Sequence, residues 1–210
     1  MTTDTVRIPL FPLPLVVLPG EATALHIFEP RYLQLISDVE SRGVIGVFGI
    51  SLIRPGGAAA VGCGVRVERF LQKHEDGKLD LMVRGALRYS ITEIYQEKPY
   101  LEARVSFVED TDANPAPSPL REQAISLHAR FSEMMTGRPV VQEAEGKTPL
   151  SFVLASVAKM ENESKQRLLE SRSEHKRLQF LIEHYQKAIT ETAPGVEAAR
   201  ISHSNGVIKH

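Results

Sequence analysis

The 210-residue chain has no tryptophan and only 6% aromatic residues, so stacking platforms for single-stranded nucleic acid or sugars are scarce. Its single cysteine, Cys63, excludes an internal disulfide and a cysteine-based zinc site. Cys63 reads as a small buried apolar residue. Charge of one sign is lacking too: 25 Lys and Arg face 26 Asp and Glu, a formal net charge of −1. A chain built mainly to coat nucleic acid needs a cationic excess to neutralise phosphates. No apolar run is long enough for a bilayer; Ile8 to Leu18 is short and is interrupted by Pro9, Pro12 and Pro14. The start, Met1-Thr2-Thr3-Asp4, carries an acid where a secretory signal carries positive charge, so the expected location is a reducing cytoplasm, away from membranes. With 42% hydrophobic and 24% charged residues the composition is that of a globular chain, not a disordered or fibrous one.

Catalytic motifs are also missing. Gly146-Lys147-Thr148 has the ending of a phosphate-binding loop, but the glycine required five residues earlier is Val141. Gly62-Cys63-Gly64 is a fragment of a dinucleotide fingerprint whose third glycine position is Val67. No serine sits in a Gly-x-Ser-x-Gly elbow. Histidines at 26, 74, 128, 175, 184, 203 and 210 include no i, i+4 pair that would place two ligands on one helical face. His175 and His184 are expected on the solvated side of the last helix. Glu29 and Arg31 flank Pro30 and read as a structural ion pair or cap. The residues therefore predict no catalytic side chain, no cofactor site and no metal ligands.

What is present is patterning. Val61, Cys63, Val65 and Val67 alternate with Gly62, Gly64, Arg66 and Glu68, the period of a strand with one buried face. Leu79, Leu81 and Val83, then Leu87, Tyr89 and Ile91, then Leu101, Ala103, Val105 and Phe107 repeat it. Asp76-Gly77 supplies a hairpin turn between the first two runs. The apolar stretch 44–50 is expected to be buried on both faces. Many short strands joined by turns suggest a small closed or half-closed barrel. One helix interrupts them: Pro30 suits a first turn, Tyr32, Leu35, Ile36 and Val39 follow helical spacing, and Gly43 can end it. The Pro- and Asp-rich stretch 109–119 reads as a linker. Helices are expected after it: one capped by Ser118 and stopped by Gly137, one from Thr148-Pro149, a short one over 165–170, and a last one closed by Pro194-Gly195. The expected organisation is a β part over 1–115, a helical part over 116–194, and a loose tail over 195–210.

One segment carries a family resemblance. Ile8-Pro9-Leu10-Phe11-Pro12-Leu13-Pro14-Leu15-Val16-Val17-Leu18-Pro19-Gly20, followed by Leu25-His26-Ile27-Phe28-Glu29-Pro30-Arg31-Tyr32, resembles the opening of the Lon protease N-terminal (substrate-binding) domain family. Similarity continues through Asp76 to Leu81, Pro99 to Ala103 and Lys165 to Glu170. The resemblance implies an α+β fold: a PUA-like β pseudo-barrel of about six strands with an inserted helix, followed by a helical subdomain of the same module. In Lon proteases an ATPase and a serine–lysine peptidase module follow this region; no catalytic residue is carried over, so the implied role is non-enzymatic. The implied partners are unfolded or flexible polypeptide segments or a protein partner, with the contact residues and any homo-oligomer unassigned. Phe28, Glu29, Pro30, Arg31 and Tyr32 read as barrel-closing structure rather than a ligand site. The alternative is a small RNA-binding module, since PUA-like barrels also serve RNA-binding proteins and Arg66, Arg69, Lys73, Arg84 and Arg88 fall on neighbouring strands.

Overall fold

A computed structural model describes residues 5–41, 46–112, 115–140, 148–158 and 160–204, the side chains of 192–204 aside. Among these residues the order of elements is β1 (Thr5–Leu13), β2 (Ala22–Ile27), α1 (Pro30–Ser41), β3 (Val47–Arg54), β4 (Gly57–Ala58), β5 (Val61–Lys73), β6 (Leu79–Tyr95), β7 (Leu101–Phe107), α2 (Ser118–Thr136), α3 (Leu150–Val157), α4 (Asn162–Glu170) and α5 (Glu174–Ser204). The fold is α+β. Strands β1, β7, β6, β5 and β3 are hydrogen-bonded neighbours in that order, and a parallel pairing of β1 with β3 closes them into a ring. The two-residue β4 on β3, and β2 on β6, complete seven strands where about six were expected.

The predicted runs 79–84 and 87–92 are one strand. Their buried apolar positions Leu81, Val83 and Tyr89 share the odd-numbered phase, which passes through Gly85 without a break. Along one side β6 changes partner: Leu79 to Arg84 pair with β2, and Tyr89 to Tyr95 pair with β7. Gly85 marks the change. Its N–H donates to the Glu21 carbonyl at 2.9 Å and its carbonyl accepts from the Gly20 N–H at 2.8 Å. Inside the ring Tyr89 is fully buried and shares a 2.8 Å hydrogen bond with the Ser51 hydroxyl. Gly49 and Gly62 leave room for its ring, since a Cβ at either would come within 2.5 Å of the phenol oxygen. Glycine on β5 is therefore a packing requirement as well as an interruption of alternation.

Three strands were not legible from patterning, the two-residue β4 among them. β1 holds Pro9 and Pro12, opposite Glu102 of β7 and Ser51 of β3. A proline lacks one donor, and a strand loses a bond only where that donor faces a neighbour. β2 is short and half exposed. The predicted helix is α1, with Tyr32, Leu35, Ile36 and Val39 buried as its spacing requires. Val44, Ile45 and the expected stop Gly43 lie outside the described residues.

The chain divides into two compact units, Met1–Thr111 with Lys159–Arg172, and Asp112–Ala158 with Ser173–His210. The expected division at 115/116 therefore needs correction, because α4 belongs with the strands and not with the other helices. Polar ties explain this. Asn162 accepts from the Val16 N–H at 3.2 Å and donates to the Pro14 carbonyl at 2.9 Å. Lys165 pairs with Glu21 at 2.5 Å and Gln166 donates to the Val61 carbonyl at 2.9 Å. Arg88, 6% exposed, donates to the Leu169 and Ser171 carbonyls and to Asp110. Leu168 and Leu169 are buried beneath these bonds.

In the second unit α2 starts without a side-chain cap. Pro117, rather than the expected Ser118, is the cap position, and Gly137 ends the helix at φ 75°. Arg177 of α5 is fully buried, donates to the Ser151 hydroxyl at 2.8 Å and to Glu174 at 2.7 Å, and lies over the Phe152 ring. Helix α5 continues past Pro194-Gly195 to Ser204, so the tail expected from residue 195 is helical to that point. A proline removes one donor and bends a helix without having to end it. Gly146 and Lys147 lie outside the described residues.

Candidate functional site

Four segments of the first unit bound a groove of about 660 Å³: Phe11 to Pro14 at the end of β1, His26 to Tyr32 across the β2–α1 junction, Ile53 of β3, and Gln96 with Pro99 to Leu101 before β7. Local sequence dictates each piece. Pro14 directly follows the last residue of β1, and its missing N–H keeps the strand from continuing. Pro30 starts α1 directly after Phe28 and Glu29, so the junction cannot fold back as continuing strand.

The buried side of the groove is aromatic. Phe11 is 5% exposed and Tyr32 9%, and their ring centroids lie 3.9 Å apart. The rim is apolar and open: Phe28 is 57% exposed and Ile53 51%. Monomer surfaces carry scattered hydrophobics; here two large ones stand beside a concave aromatic floor. Arg31 pairs with Glu29 at 2.7 Å and lies 4.5 Å above the Tyr32 ring, which places a charged pair at one end. β2 pairs only with β6 among the described strands, so its other edge has no strand partner.

The pentapeptide Phe28 to Tyr32 is thus split in role. Tyr32 is core, as expected of barrel-closing structure, whereas Phe28 and Arg31 are exposed along the groove. An exposed aromatic just before a helix cap was the available signal, because a structural one would pack onto the first turn. Ile53, Gln96 and Tyr100 were not singled out in the sequence as site residues, since their places depend on strand pairing.

Below the groove, Asp38 of α1 accepts from Lys98 at 2.7 Å, Tyr100 at 2.5 Å and Gln34 at 2.7 Å. These donors, Lys98 first, hold its carboxyl well below the usual carboxylate range. A lowered folded pKa means the stabilisation is present above the ordinary value of about 4 and lost as pH falls through the folded value. Asp38→Asn is expected to lower the melting temperature by a few °C at pH 7 (about 1 kcal/mol). The difference from the parent should narrow steadily below about pH 4, which a melting series against pH checks.

At the rim, His26 and His74 both turn to Asp80. His26 Nδ1 lies 2.6 Å from Asp80 Oδ1, and His74 Nε2 lies 2.7 Å from Oδ2. Hydrogen bonds from the two imidazoles lower the Asp80 pKa, that from His26 first. Of the five basic residues considered for RNA, Arg88 is buried on Asp110, Arg84 pairs with Glu68 at 2.9 Å and Lys73 lies over Phe70, whereas Arg66 and Arg69 are exposed. Cys63 is buried, and burial pushes its thiol up to about 12, which fits an inert core residue. Among the described residues no helix is long and apolar enough to cross a membrane.

A family model described as the ATP-dependent protease La (LON) substrate-binding domain matches residues 7–187. The chain belongs to the LON substrate-binding domain family. Lon protease of Anaeromyxobacter dehalogenans is 37% identical over 101 residues, 45% of this chain and 12% of that protein. Lon protease 2 of Myxococcus xanthus is 36% identical over the same span and shares. The chain thus spans about one-eighth of the length of these curated relatives. The crystal structure of a Lon N-terminal domain protein from Xanthomonas campestris is similar at a TM-score of 0.65 and 28% identity, covering 84% of this chain and 97% of that one. The N-terminal domain of a Mycobacterium avium complex Lon protease shares the fold at a TM-score of 0.65 and 16% identity, covering 86% and 98%. The resemblance drawn from the opening segments is therefore correct, and parts of those segments, Phe11 to Pro14 and His26 to Tyr32, line two sides of the groove.

Proposed function

We propose that this LON substrate-binding domain is a non-catalytic module of the cytoplasm whose groove receives an apolar segment of a flexible or unfolded polypeptide. The observation that carries the reading is the pairing of an aromatic floor with the exposed rim residues Phe28 and Ile53. A peptide side chain entering the groove buries apolar area on both partners, at about 25 cal/mol per Å² before association costs. The unpartnered edge of β2 offers main-chain pairing to the same segment. Affinity in the micromolar range, about −8 kcal/mol, is expected.

Balanced charge gives little long-range steering, so the affinity should change modestly between low and physiological salt. Binding to RNA would instead weaken steeply with salt as counterion release loses its advantage. Parallel titration of labelled unfolded casein and labelled single-stranded RNA, each at two salt concentrations, tests the proposal. Casein binding with a shallow salt dependence supports it. Salt-sensitive RNA binding without a response to casein overturns it, as does silence from both.

A further inference from the structure

We infer that His26, His74 and Asp80 form a binding site for a divalent transition-metal ion of the zinc class. The three come from different places: His26 near the end of β2, His74 at the turn between β5 and β6, and Asp80 near the start of β6. Strand register makes His26 and Asp80 direct cross-strand partners. The tight turn does the rest. His74 N–H donates to the Lys78 carbonyl at 2.9 Å, and Gly77, at φ 85°, donates back to the His74 carbonyl at 3.0 Å. This folds His74 over the same carboxylate.

The ligand atoms of all three lie within 4.8 Å of one another. Two nitrogens bound tetrahedrally at about 2.1 Å are about 3.4 Å apart, so each imidazole needs to move by less than about 1 Å to seat an ion. The imidazole rings stand edge to face with centroids 5.9 Å apart, and His26 is stacked on Phe28 at 5.8 Å, which limits the ring orientations it must give up. Two neutral imidazoles and one carboxylate are a nitrogen-rich set that suits zinc, cobalt or nickel and disfavours magnesium and calcium. Seating the ion replaces the two hydrogen bonds to Asp80; any proton on the coordinating nitrogens leaves to solvent. Side-chain exposures of 51%, 30% and 31% leave a fourth position open to water. A bound ion ties the β5–β6 turn to β2. The inference does not rest on polypeptide binding, although His26 also lines the groove.

The test uses the full chain without an affinity tag. Calorimetric titration with zinc chloride should give one saturable site, and cobalt(II) should give the visible absorption of a low-symmetry tetrahedral complex. His74→Ala and Asp80→Asn should each weaken zinc at least tenfold and abolish the cobalt band, whereas His175→Ala, at an exposed position of α5, should change neither. His26→Gln provides a third arm if one variant folds poorly, judged by its melting curve without metal. Absence of a saturable site, or a site whose affinity survives both His74→Ala and Asp80→Asn, would overturn the inference.

Discussion

Gly85→Ala is expected to destabilise the β-rich unit by about 3 kcal/mol or more, a large fraction of the stability of a single domain. A Cβ at this position would lie 2.1 Å from the Leu18 carbonyl oxygen and 3.1 Å from Cys63 Sγ. The obstacle is backbone, and it is fixed on both sides. Gly85 exchanges hydrogen bonds with Gly20 and Glu21, and the Leu18 N–H donates to the Glu21 carboxylate at 2.9 Å. Relief requires breaking that loop from β6, where β6 changes partner from β2 to β7. Gly77→Ala is the control: nothing lies within 4 Å of its Cβ position, and only the φ of 85° opposes the substitution. It should cost about 1–2 kcal/mol. Denaturant unfolding followed by circular dichroism checks both, and a Gly85→Ala protein within 1 kcal/mol of the parent (about the cost of the control) would contradict the packing described.

Arg88→Ala should cost about 3 kcal/mol, because it removes the charge-assisted hydrogen bonds of a buried guanidinium and leaves the carbonyls it served without that donor. Arg88 is 6% exposed; one amino group serves the carbonyls of Leu169 and Ser171 and the other meets Asp110 at 2.6 Å. These bonds fasten the end of α4 to β6. Lysine offers one compact charge where a planar fork is needed, so Arg88→Lys should recover only part of the loss. Hydrogen exchange gives the local readout: protection of α4 amides should fall more than that of α1. Equal loss in both helices would show that Arg88 stabilises the unit as a whole and not α4 in particular.

Much of this architecture is legible in the sequence because burial imposes a period. The four buried positions of α1 and the odd-numbered buried face of β6 follow directly from spacing. Pairing is not periodic, and what depends on it was hidden. β1 was obscured by prolines whose cost depends on which side a neighbour lies. α4 looks like its helical neighbours until Asn162, Lys165 and Gln166 find partners 105 to 148 residues away along the chain. The opening segments identified the family, yet burial alone separates Tyr32, in the core, from Phe28, on the rim. His26 and His74 are 48 residues apart, and a helical spacing rule cannot detect side chains that strand register and a turn bring to one carboxylate.

The groove assignment is tested most directly by polypeptide affinity in three single variants. Phe28→Ser and Ile53→Ser remove the exposed apolar rim, and Leu71→Ser removes an equally exposed hydrophobic of β5 that does not line the groove. Fluorescence anisotropy with labelled unfolded casein should show each rim variant binding about tenfold more weakly, near 1.4 kcal/mol, with Leu71→Ser unchanged. Equal affinity across the parent and both rim variants, with folding intact, would contradict the assignment of the groove as the polypeptide site.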